Sequence, residues 1–152
     1  MPISNNTFDG LTGAMFRLIL TMDDARSAMG ERLGIGMTGL KTISILNREG
    51  ASTAGALAAA AGITSGSMTA TIDKLVDNHL ATRTPNPNDR RGVLVELTPK
   101  GKEAVDWVLR YYYEALATPL SHDTNTQVIA DYLAETSDHL AALAARVPKL
   151  PR

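Results

Sequence analysis

The sequence predicts a mainly α chain with one small β-hairpin, an α+β fold. Three observations predict it. Apolar residues recur at three- and four-residue spacing over most of the 152 residues, the period of amphipathic helices. One stretch departs from that period: Val93, Val95 and Leu97 alternate with Leu94, Glu96 and Thr98, as on a half-buried strand. The stripes near the two ends of the chain follow spacings of 4, 3, 4, 3 and 4, the pattern of a helix that lies along another helix.

The first helix is placed over residues 8–33. Leu11, Met15, Leu18, Met22, Ala25 and Met29 form its stripe, and Arg17, Asp23, Asp24 and Arg26 take other faces. Gly30, Gly34 and Gly36 break the pattern. Thr38 begins a second helix with Leu40, Ile43, Leu46 and Asn47 as one stripe and Gly50 as its stop. Ser52 or Thr53 caps a short third helix, in which Leu57, Ala58 and Ala61 point inward, and Gly62 ends it. A fourth helix starts at Thr64 or Ser65, whose hydroxyl can accept from an orphan backbone N–H. Its inward face is Met68, Ile72, Leu75 and Val76. That turns Gly66, Ser67, Ala70, Asp73, Lys74 and Asp77 outward, with Ser65 and Thr69 at the flanks.

Helix, tight glycine turn, helix is the helix-turn-helix signature, although an ordinary pair of antiparallel helices shows it too. What favours DNA is the segment that follows. Thr82-Arg83-Thr84 and Val93 to Leu97 read as two hairpin arms. The residues between them, Pro85 to Gly92, are too many for a two-residue turn and too polar to bury. A helix can enter a major groove, and a hairpin tip with two arginines can reach the adjoining minor groove. After the hairpin, Thr98 caps a helix that starts at Pro99 and runs toward Thr118, where Pro119 stops it. Its stripe is Val105, Val108, Leu109, Tyr112 and Leu116. A last helix carries Ile129, Leu133, Thr136, Leu140, Leu143 and Val147 and ends at Pro148.

The run Asp89-x-Arg91, five residues, Leu97-Thr98, two residues, Gly101 resembles the wing signature of the MarR family, the multiple antibiotic resistance regulators. The likeness extends upstream through Leu57-Ala58, Gly62-Ile63-Thr64 and Asp73-Lys74-Leu75 to Leu80. It implies a winged helix-turn-helix domain with N- and C-terminal dimerisation helices. The winged part would span about residues 36–101 and the dimerisation region about 8–33 and 102–147, within a single domain of 1–152. It also implies a homodimer bound to double-stranded DNA, acting as a repressor. Arg91 would enter the minor groove, steadied by a charge-assisted pair with Asp89, and Arg90 would meet phosphate.

On the recognition helix the DNA-facing set is Ser65, Ser67, Thr69, Ala70 and Lys74. Many family members carry an arginine near Ser65 or Ala70, and this chain does not. Small hydroxyl and methyl groups can touch base edges, but they cannot form the bidentate arginine–guanine contact, which gives DNA shape more weight. The family often holds a small aromatic or phenolic effector between the dimer helices and the winged domain. Met15, Trp107 and Tyr111 are the residues here that could line such a crevice. His79, at the end of the recognition helix, suits the helix dipole.

Composition narrows the remaining classes. With no cysteine the chain has no disulfide, thiolate zinc site or thiol switch. His79, His122 and His139 show no ligand spacing, and no phosphate-loop or catalytic constellation is present, so neither an enzyme nor a cofactor is expected. No signal peptide or membrane span is read, which places the chain in the cytoplasm. Residues 36–102 carry a net +3 within a chain of net −1, as a DNA-facing middle in an acidic frame would. The competing class is a helical interaction module whose winged fold binds a protein partner.

Overall fold

The computed structural model describes residues 5–87, 89, 92–117, 125–144 and 146. Its elements are α1 (Asn5–Arg32), α2 (Gly36–Glu49), β1 (Ser52–Thr53), α3 (Ala54–Ala61), α4 (Ser65–Asp77), β2 (Ala81–Pro85), β3 (Val93–Leu97), α5 (Pro99–Ala117) and α6 (Thr126–Ala144). Every expected helix is present, with ends moved by a few residues. The stops expected at Pro119 and Pro148, and the apolar Val147, lie outside the described residues. The chain divides into two compact units after Arg110, within α5.

The first unit is built around the inward faces of α2, α3 and α4. Ile43, Leu57, Met68, Ile72, Leu75, Leu80 and Val95 are almost fully buried, each such side chain contributing about 1.5–3 kcal/mol by leaving water. Thr42 is buried among them. Its hydroxyl donates to the Thr38 carbonyl at 2.8 Å, so no buried polar atom is left unsatisfied there. α1 packs on α2, yet along its stripe only Met29 is buried; Leu11, Leu18 and Met22 are exposed.

The hairpin is part of a three-stranded antiparallel sheet of order β1-β3-β2. β2 and β3 pair with Arg83 opposite Val95 and Thr82 opposite Glu96. β1, which the sequence did not announce, places Ser52 opposite Val95 and Thr53 opposite Leu94. Two residues are too few to show an alternation, and Thr53 also caps α3 by accepting from Ala56 N at 3.2 Å. Val95 is the buried member of its row, while Val93 is 49% exposed.

Where α4 ends, the backbone turns sharply. His79 N donates to the Val76 carbonyl at 2.9 Å and Leu80 N to that of Leu75 at 2.8 Å, the paired bonds of a Schellman cap. His79 itself sits at φ 59°, in the left-handed region usually left to glycine. Thr98 then ties this turn to α5. Its N–H donates to the Leu80 carbonyl at 3.1 Å, and its hydroxyl donates to the His79 carbonyl at 2.7 Å and accepts from Gly101 N at 3.0 Å. A Cβ on residue 101 would collide with the Leu80 carbonyl oxygen, so only glycine lets the first turn of α5 approach so closely.

In the second unit, Tyr111 and Tyr112 meet edge to face with ring centroids 6.1 Å apart. α6 buries no residue, and Leu133, Leu140 and Leu143 are exposed on it.

Gly101→Ala is expected to lower the unfolding free energy by about 1–3 kcal/mol or more, since backbone must shift to admit the methyl group. Urea denaturation beside the wild type checks this.

Candidate nucleic-acid interface

The site is assembled from α3, the turn after it, α4 and the β2–β3 hairpin. Gly62, at φ 71°, reverses the chain after α3, with its N–H on the Ala59 carbonyl at 3.2 Å and Ile63 N on that of Ala58 at 3.1 Å. Lys41 on α2 donates its ammonium to the Ala61 carbonyl at 2.8 Å, a cation where the α3 dipole is negative. Of the two N-caps open from sequence, Thr64 is the one used. Its hydroxyl oxygen accepts from Ser67 N at 3.2 Å.

α4 buries Met68, Thr71, Ile72 and Leu75. Ser65, Ser67, Thr69, Ala70 and Lys74 all fall on its exposed side together with Gly66, Asp73 and Asp77. Thr71, 8% exposed, donates its hydroxyl proton to the Ser67 carbonyl at 2.9 Å. Thr69 likewise donates to the Ser65 carbonyl at 3.0 Å, and the Thr64 and Ser67 hydroxyls lie 2.9 Å apart in one hydrogen bond. The face therefore presents methyl groups and oxygen lone pairs, with Lys74 as its cation, and most hydroxyl protons are already engaged along the helix.

Beside this face stands the hairpin. Asn86 N donates to the Gly92 carbonyl at 3.0 Å, Asp89 N to that of Asn86 at 3.2 Å and Gly92 N to that of Asp89 at 2.8 Å. These bonds close the loop that carries the expected wing residues. Asp89 is exposed; Arg90 and Arg91 lie outside the described residues. Asp73, one of the outward residues, is held in an ion pair. The partner is Arg83 on β2, whose Nη2 donates to Asp73 Oδ1 at 2.6 Å. Ten residues separate the two, beyond the helical three- and four-residue spacings in which sequence reveals ion pairs.

A cavity of about 360 Å³ opens between the start of α2 (Ile35 to Thr38) and Ser67, Ala70, Thr71 and Lys74 of α4. A second, of about 310 Å³, lies between Leu46, Asn47, Gly50 and Ala51 and the Glu96, Leu97 and Lys102 side chains. Neither includes the expected effector residues. Met15 and Trp107 are each half-buried, and Tyr111 is exposed. Among the described residues no group of three or more His, Asp or Glu could hold a metal ion. No described helix is long and apolar enough to cross a membrane.

A capped helix-turn-helix followed by an antiparallel hairpin defines a winged helix-turn-helix protein. The MarR family pattern matches residues 35–93. An uncharacterised HTH-type transcriptional regulator of Bacillus subtilis is 39% identical over 64% of this chain and 58% of its own length. Another, of Mycobacterium bovis, is 34% identical over 75% of this chain and 78% of its own length. The crystal structure of a MarR transcriptional regulator from Methanosarcina mazei aligns with a TM-score of 0.69 at 23% identity, covering 89% of this chain and 99% of that one. The chain belongs to the MarR family of transcriptional regulators, which are not enzymes.

Thr64→Ala is expected to cost about 1 kcal/mol of stability through loss of the α4 cap, read as a lowered denaturation midpoint with an unchanged slope.

Proposed function

We propose that this protein is a repressor that binds a pseudo-palindromic operator as a homodimer. The observation that carries the DNA-binding part is the exposed row of small residues on α4 set beside the hairpin and its ion pair. A row without bulk allows the helix backbone to approach base edges closely. The methyl groups of Thr69 and Ala70 suit contact with thymine. Arg91 supplies the minor-groove contact, with Asp89 holding the wing and Arg90 on phosphate. Lys74, Ser65 and Ser67 take the DNA backbone and base edges at the two ends of the helix. A regulator of this kind meets its operator in the cytoplasm.

The homodimer is supported by unpartnered apolar surface. Leu11 and Leu18 on α1 are 46% and 52% exposed, and Leu133 and Leu143 on α6 are 51% and 62% exposed. Leucines at helical spacing on two long helices make the kind of surface that a second copy covers in an obligate interface, where about 2,000 Å² or more is buried. Release by a small aromatic or phenolic effector is part of the same proposal. That control would not run through a thiol, since the chain has no cysteine.

The test is titration of the purified protein with duplexes from the DNA flanking its coding region, at several salt concentrations. Binding is expected to weaken steeply with salt, as counterion release requires. A winged module that binds a protein partner would show no specific duplex. Arg91→Ala is expected to weaken operator binding by roughly 1–3 kcal/mol, whereas Arg90→Ala should weaken operator and random DNA alike. Sedimentation at micromolar concentration should return twice the 16.2 kDa mass of one chain; a species of single-chain mass alone would remove the homodimer.

A further inference from the structure

We propose that Arg83, aimed by Asp73, is a DNA-backbone contact set between the recognition helix and the wing. The proposal rests on the DNA-binding reading above and adds to it a residue that the sequence did not single out.

On α4 the outermost row is Gly66, Ala70, Asp73 and Asp77, spaced 4, 3 and 4, so two of its four members are carboxylates. A carboxylate facing phosphate is repelled, and the second half of this row would oppose the DNA that the first half approaches. Asp73 is the one neutralised. Arg83 reaches it from β2 with a 2.6 Å hydrogen bond. Asp77 has no side-chain partner among the described residues and sits in the last turn of the helix.

The pair is open to solvent, with side chains 41% and 53% exposed for Arg83 and Asp73. Exposed ion pairs contribute little to stability, so holding the fold together does not account for it. A guanidinium has five donors in a planar fork, and Arg83 spends one on Asp73. The remaining donors belong to a side chain that is 41% exposed at the seam between α4 and the hairpin, the two elements that approach DNA in that reading. Asp73 limits the rotamers of a long side chain there, and a fork held in that way is preorganised for a phosphate oxygen. The acid thus acts as a positioning residue and the arginine as the contact. Phosphate contacts of this type fix the register of helix and wing on the duplex without reading sequence.

The experiment compares the full-length wild type, Asp73→Asn and Arg83→Gln for binding to the operator and to random duplex over a range of salt, with melting curves for each. Wild type that binds no duplex would remove the DNA-binding reading itself, before either variant is considered. Given wild-type binding, Arg83→Gln is expected to weaken both duplexes similarly and to reduce the slope of log affinity against log salt by about one for each subunit. Asp73→Asn separates a positioning role from a merely acidic surface. Removing a negative charge beside phosphates would by itself tighten binding, whereas loss of the aimed guanidinium weakens it. Operator affinity several-fold weaker for Asp73→Asn, at an unchanged melting temperature, is the expected result. Asp73→Asn binding as tightly as wild type or tighter, or Arg83→Gln with an unchanged salt slope, would overturn the proposal.

Discussion

The carbonyls of His79 and Leu80 are the point on which the DNA-facing half of this protein depends. Both are bonded by Thr98, through its hydroxyl and its backbone N–H. Four elements meet there: the end of α4, the start of β2, the end of β3 and the first turn of α5. Lys100 adds a further bond, from its ammonium to the Asn78 carbonyl at 3.0 Å. The angle between recognition helix and hairpin is therefore set by backbone groups that every sequence has. What this sequence supplies is a hydroxyl at 98 to serve both sides and a missing Cβ at 101 to leave room. The spacing Leu97-Thr98-x-x-Gly101, met first as a family signature, is the chemical requirement of that junction.

From that junction the function follows by packing. Met68, Ile72 and Leu75 press α4 onto α2 and α3, and whatever the core does not claim faces outward. The outward residues of its first two turns are small, and most of their hydroxyl protons are bonded along the helix. Such a face discriminates weakly by hydrogen bonding, since its hydroxyl protons are largely committed within the helix. In the proposed DNA complex, specificity would then come from close approach, methyl contacts and groove shape. A wing fixed relative to the helix is what shape readout needs, because the distance between the major-groove and minor-groove contacts becomes the measured quantity.

Much of this was legible in the sequence. Period 3.6 located the helices, and period 2 located β3. The glycine at 62 and the hydroxyl at 64 marked the turn and cap by mechanisms that act within a few residues. What escaped was non-local or short. β1 has two residues and takes its identity from pairing with Leu94 and Val95, more than 40 positions away. The Arg83–Asp73 pair spans a helix end and a turn. His79 in the left-handed region gave no signal, because that conformation usually falls to glycine. The apolar stripe of α1 was visible as a pattern, yet its exposure at Leu11 and Leu18 appears only when the rest of the chain is in place. The wing arginines, the residues the sequence named most firmly, lie outside the described residues, so their role rests on the motif and on the loop bonds from Asn86, Asp89 and Gly92 that flank them.

Hydroxyl-radical footprinting of the operator complex tests the central claim most directly, that paired helices and wings read duplex DNA from a fixed geometry. A symmetric pattern is expected, with two half-sites centred about 10 base pairs apart and a protected minor-groove patch outside each where a wing lies. A single protected patch without symmetry, or two half-sites with no flanking protection, would contradict it.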